Sequence, residues 1–259
     1  MTQDNAFRSR RSVPTLLVTA GLVLTVLLPG AVAAQDADPR ARYQTCLVAA
    51  RTAPAETYES AREWEVDGGG NLARHCWAMA LWHQEKWPEA ARALDDLARE
   101  TEALDPPFAA SFYDAAARAW LAAGAPFRAT DSVEASVRLA PSSVEHRTTG
   151  AFVAAERGDW ATAIDNLSRA LEQAPDRPDL LALRAAAFRN LGQFELALDD
   201  VERALSRAPN DPKALLERGL ILNLQGDREG ARRDWRRAAD LAPGTPAGEA
   251  AALNLQRVR

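Results

Sequence analysis

Four columns of small residues and proline return every 34 positions along this chain, and that spacing constrains its fold more than any other feature. Aligned on a Gly-x-x step, the stretches GDWATAIDNLSRALEQAP (158–175), GQFELALDDVERALSRAP (192–209) and GDREGARRDWRRAADLAP (226–243) keep one register. Gly158, Gly192 and Gly226 form one column; Ala163, Ala197 and Ala231 a second; Ala170, Ala204 and Ala238 a third; Pro175, Pro209 and Pro243 a fourth. One step earlier Gly124, Ala129, Ser136 and Pro141 hold the same columns. A period in this range means stacked supersecondary units that share one continuous core. A further unit around Trp87, Ala90 and Leu94 is recognisable, followed by a five-residue insertion. The reading lengthens its second helix to about Ala103, with LDPPF turning the chain.

Each unit reads as a helical hairpin. Ala, Leu, Arg and Glu dominate between short Pro and Gly breaks, a composition that favours helix. Asp38-Pro39, Asp211-Pro212 and Thr245-Pro246 each set a capping side chain before a proline at the first helical position. Ser142 with Glu145 reads as a capping box. The column glycines suit the left-handed residue that ends a first helix. Close crossing of two helices needs small side chains at the contact, which the alanine columns supply, with Trp120, Phe188, Leu222 and Trp235 filling the space beside them.

This pattern resembles the tetratricopeptide repeat family over about residues 71–245. The family's small first-helix position falls on Ala78, Ala117, Ala151, Ala185 and Gly219, its second-helix aromatic on Trp87, Trp160 and Phe194, and its closing proline on Pro141, Pro175, Pro209 and Pro243. The chain departs from the pattern at Pro126 and Arg228 in place of the aromatic, at Glu85 in place of the turn glycine, and at Arg184 and Arg218 where an apolar residue is usual. The resemblance implies an all-α superhelical array of antiparallel hairpins, an α-solenoid of about 13 helices. Residues 39–70 read as a degenerate N-terminal hairpin split at Pro54, with Tyr58, Ala61 and Trp64 facing inward and the glycines 68–70 making a tight, flexible corner. Residues 246–259 read as a C-terminal capping helix.

Residues 1–34 fit a secretory signal. Arg8, Arg10 and Arg11 precede an apolar run from Leu16 to Leu28, and Ala31-Val32-Ala33 offers a cleavage site. The expectation is a periplasmic or secreted protein; an inner-membrane anchor made by an uncleaved signal is the alternative. The formal charge is -5. A mildly acidic chain without a basic stripe speaks against nucleic acid as a partner.

Cys46 and Cys76 are the two cysteines. In an exported chain they suggest one disulfide tying the first hairpin to the body. Two separate buried thiols, or a metal site with His75 and His83, are the competing readings. No C-x-x-C, Walker or G-x-G-x-x-G pattern and no nucleophile–base constellation is present, so neither a cofactor nor an enzyme is expected. The adjacent pairs Asp95-Asp96 and Asp199-Asp200 read as solvated faces.

Family resemblance places function on the concave face lined by first helices. Its groove positions fall on His75, Met79, Trp82, Asp114, Arg118, Thr148, Phe152, Arg189, Asn190, Lys213, Leu220 and Asn223. Arg118, Arg189 and Asn190 read as exposed; Trp82, Phe152 and Leu220 could equally pack the wall. Of the family's carboxylate-clamp positions, here Thr148, Phe152, Leu183, Lys213 and Glu217, only Lys213 agrees, which disfavours chaperone-tail recognition. The resulting expectation is an adaptor or scaffold binding a peptide or protein segment from another envelope protein. A structural subunit of an envelope assembly and a self-associating repeat protein are the alternatives.

Overall fold

The computed structural model describes residues 38–258; the segment read as a signal lies outside the described residues. Thirteen α-helices follow one another with no strand among the described residues: α1 (Pro39–Thr52), α2 (Pro54–Trp64), α3 (Gly70–His83), α4 (Trp87–Thr101), α5 (Pro106–Ala122), α6 (Pro126–Leu139), α7 (Val144–Glu156), α8 (Trp160–Gln173), α9 (Pro178–Asn190), α10 (Phe194–Arg207), α11 (Pro212–Leu224), α12 (Arg228–Leu241) and α13 (Pro246–Arg257). A wide turn, Glu65–Gly69, joins α2 to α3.

The small columns are where the helices nest. Ala129, Ala163, Ala197 and Ala231 are buried, as are Ser136, Ala170, Ala204 and Ala238 and the first-helix column from Ala78 to Ala185. Gly219 completes that column for a local reason. A Cβ there would lie 2.4 Å from Nε1 of Trp235, the indole that fills this hairpin where Val201 and Leu167 stand in the two before it.

The turns follow from backbone chemistry. Gly124, Gly158, Gly192 and Gly226 all have positive φ, between 66° and 91°. Glu85 takes the same place with φ 60°, the one non-glycine residue of positive φ among those described. Asp38, Asp211 and Thr245 cap α1, α11 and α13 as their sequence context implies. Ser143, not Ser142, caps α7 by accepting from the His146 N–H, so Glu145 falls one position early for a reciprocal capping box. The insertion also lands elsewhere than expected: α4 stops at Thr101, and it is α5 that runs to 17 residues against 13 in α7, α9 and α11. Within the glycine corner Gly69 packs on α2, where a Cβ would strike the Trp64 indole at 2.6 Å, while Gly68 and Gly70 are exposed.

Curvature follows from which helices touch. α1 packs on α3, α5 on α7, α9 on α11 and α11 on α13, while no two even-numbered helices pack together to the same extent. First helices therefore form a close inner ladder, and second helices splay apart on the outside. The end helix α13 covers α11 and α12: Ala251 is buried, Leu255 and Val258 pack on the core, and Leu253 faces outward.

Candidate binding faces

The inner ladder is not uniformly open. At its N-terminal end Tyr43 of α1, His75 of α3 and Phe112 of α5 stack in series, with ring centroids 5.7 and 4.8 Å apart, and Phe108 lies 4.2 Å beyond Phe112. The Tyr43 hydroxyl and Nδ1 of His75 share a hydrogen bond of 2.5 Å. Burial pushes the Tyr43 hydroxyl up to about 12 and the His75 imidazole down to about 4, so the imidazole is neutral. His75 thus joins three first helices together and is no free groove ligand. Beside it Cys46 and Cys76 form a disulfide, Cα–Cα 6.0 Å, which consumes both sulfurs of the proposed metal set.

Three charged groove candidates are also engaged within the chain. Asp114 is buried, and one of its oxygens receives Arg118 at 2.6 Å. Its other oxygen has no protein partner. Arg189 donates from Nε to Glu217 of α11 at 2.5 Å, closing an ion pair between neighbouring first helices. Glu217 is buried, and desolvation holds its carboxyl above the usual range against the pull of Arg189. Arg118 and Arg189 each serve a buried carboxylate; Arg118 is exposed, as its sequence reading has it, whereas Arg189 is half-buried.

Apolar and neutral candidates stay accessible on the same ladder. Phe152 of α7 is 45% exposed. Met79, Trp82, Thr148, Leu220 and Asn223 are half-buried, while Asn190 and Lys213 are exposed. Beyond them Leu191 and Leu224 stand exposed at the ends of α9 and α11.

The outer face carries polar structure that sequence reading missed. Arg184 of α9 donates to both oxygens of Asp200, at 2.6 and 2.8 Å, and to Ser168 Oγ at 3.0 Å. Arg218 of α11 repeats the grip on Asp234 at 2.7 and 2.8 Å. Asp95, also read as solvated, accepts from Trp120 Nε1 at 2.9 Å and Ser132 Oγ at 2.7 Å. Adjacent residues on a helix point about 100° apart, so in each acidic pair one member turns inward. Asp200 is 2% exposed, whereas the Asp199 side chain is 69% exposed. The signal was present: two arginine departures 34 apart, each followed 16 residues on by an aspartate.

With these faces described, the chain's likenesses fall into place. Residues 154–216 match the tetratricopeptide repeat family model. Among solved structures, MamA 41-end from Desulfovibrio magneticus RS-1 superposes with a TM-score of 0.59 at 18% identity, covering 66% of this chain and 94% of that one. YrrB, described as a TPR protein with an unusual peptide-binding site, superposes at 0.56 and 18% identity, covering 74% and 96%. A further MamA structure gives 0.55 at 20% identity, covering 63% and 93%. At such identities the likeness is one of fold. No curated protein matches the chain. Residues 154–216 carry tetratricopeptide repeat sequence, and the helical array around them shares that fold.

Proposed function

We propose that this repeat array is a non-enzymatic interaction scaffold of the bacterial envelope, exported by residues 1–34, that holds a segment of another envelope protein on its inner face. The carrying observation is the exposed Phe152 of α7 in the middle of the ladder, with half-buried Met79 of α3 and Leu220 of α11 two first helices away on either side. Large apolar side chains left open in a concave row bind extended or helical peptides by side-chain burial. YrrB's described peptide-binding site supports the same reading by analogy of fold. Arg118 and Arg189 are not the anchors in this account, because each neutralises a carboxylate of its own chain.

A photo-crosslinking residue at position 152, introduced in the native envelope, should capture one protein reproducibly, while the same group at the exposed outer position 196 should not. Capture from position 196 alone would move function to the outer face and favour a purely structural subunit. Capture of this chain by itself from position 152 would favour self-association.

A further inference from the structure

Outer clefts between second helices recur with the repeats, and the one between α6 and α8 lacks the arginine–aspartate pair of the two repeats that follow it. Arg184 bridges α8 to α10 through Ser168 and Asp200, and Arg218 reaches Asp234 on α12 in the same way. One repeat earlier the two positions hold Gly150 and Asn166. A cleft of about 290 Å³ opens there between α6 and α8, over a floor that includes Val133, Val153 and Ala154. Clefts of about 270 and 210 Å³ also remain beside Arg218, so volume does not set this one apart; the absence of an arginine–aspartate pair does, and a Cβ at position 150 would meet Asn166 Oδ1 at 3.0 Å.

A charge is missing as well as a side chain. Arg147, one turn before Gly150, leans into the cleft and donates to Asn166 Oδ1 at 3.4 Å and to the Pro141 carbonyl at 3.1 Å. It is half-buried, yet no carboxylate of the described residues lies within 4 Å of it, unlike Arg184, Arg189 and Arg218. Asp165 on the rim is held by Arg169 at 2.9 Å. A half-desolvated guanidinium beside an apolar floor, where sibling repeats place an aspartate, is complementary to an incoming carboxylate.

We propose that this outer cleft docks an acidic side chain flanked by apolar residues from a partner protein, its carboxylate meeting Arg147 as Asp200 meets Arg184. The site is separate from the inner ladder and does not depend on what binds there.

The test titrates the isotope-labelled full chain by NMR with the blocked tripeptide acetyl-Leu-Asp-Leu-amide and with its neutral twin acetyl-Leu-Asn-Leu-amide. The acidic peptide should shift the Gly150 amide, the Asn166 side-chain amide and Arg147 Nε, and bind about tenfold more tightly than the twin, as one charge-assisted contact allows. Asn166→Asp, which supplies an internal carboxylate, should reduce the acidic peptide to the level of the twin. Arg147→Gln should do the same without adding a buried charge, and it decides the matter if the aspartate variant folds poorly. Equal binding of the two peptides, absence of saturable shifts, shifts confined to the inner helices, or undiminished binding by Arg147→Gln would each overturn the proposal.

Discussion

Arg184 and Asp200 face each other across neighbouring helices with two near-parallel hydrogen bonds, and the pair is repeated 34 residues later by Arg218 and Asp234. A carboxylate buried between helices is tolerable only while such a partner stays in place. Arg184→Ala should therefore cost about 2–4 kcal/mol, below the full penalty of an orphaned charge because Arg203 also reaches Asp200 at 3.2 Å. Replacing both residues by leucine should recover most of that loss. Urea denaturation of the two variants checks this; a double variant as damaged as the single one would mean that the pair itself, not the orphaned charge, carries the stability.

Glu85 occupies the left-handed position that glycine holds in the four later hairpins. An L-residue with a Cβ pays for that conformation, while glycine gives back part of the gain through a freer unfolded chain. Glu85→Gly should stabilise the chain by about 0.5–1 kcal/mol. A lowered denaturation midpoint would show that the Glu85 side chain makes a contribution the backbone argument omits.

Ala163 and Ala197 are buried in the closest helix contacts of their hairpins. Leucine at either position has to push two backbones apart and should cost about 1–3 kcal/mol. The same substitution at the exposed Ala161 of α8 should be nearly neutral, and calorimetry on the two α8 variants separates packing from helix propensity.

The stacked His75 gives the N-terminal end a pH dependence. Burial lowers its pKa from the ordinary 6.5 to about 4, so between these values the unfolded chain binds the extra proton. Stability from this group is complete above about pH 6.5 and is lost as pH falls toward 4. His75→Asn removes the titration. The difference in denaturation midpoint between wild type and variant should shrink from pH 7 to pH 5; a constant difference would show that His75 does not titrate as its burial implies.

Much of this architecture could be read from the sequence because nesting depends on small residues at fixed intervals. The alanine columns, the positive-φ glycines and the proline caps each have a local cause and lie where the period puts them. The capping box failed by one residue, since Ser142 and Ser143 offer the same hydroxyl and only the chain's exit angle chooses between them. The insertion was assigned to α4 and falls chiefly in α5, because Pro106 and Pro107 can open a helix as readily as they end one. The charged groups were misread for one shared reason. Asp95 and Asp200 look solvated in isolation, and only partners distant in sequence, Trp120 and Ser132 for the one and Arg184 for the other, make their inward turn tolerable; Asp114 and Glu217 likewise lie buried beside Arg118 and Arg189. Asp114 and Arg189 thereby leave the exposed groups, while Arg118 stays exposed beside the ladder's apolar and neutral side chains.

The account's central claim is that the inner ladder, with Phe152 at its middle, receives the partner segment. Hydrogen–deuterium exchange of the chain with and without the protein crosslinked from position 152 tests it most directly. The account predicts added protection in α5, α7, α9 and α11; protection confined to α8, α10 and α12 would contradict it.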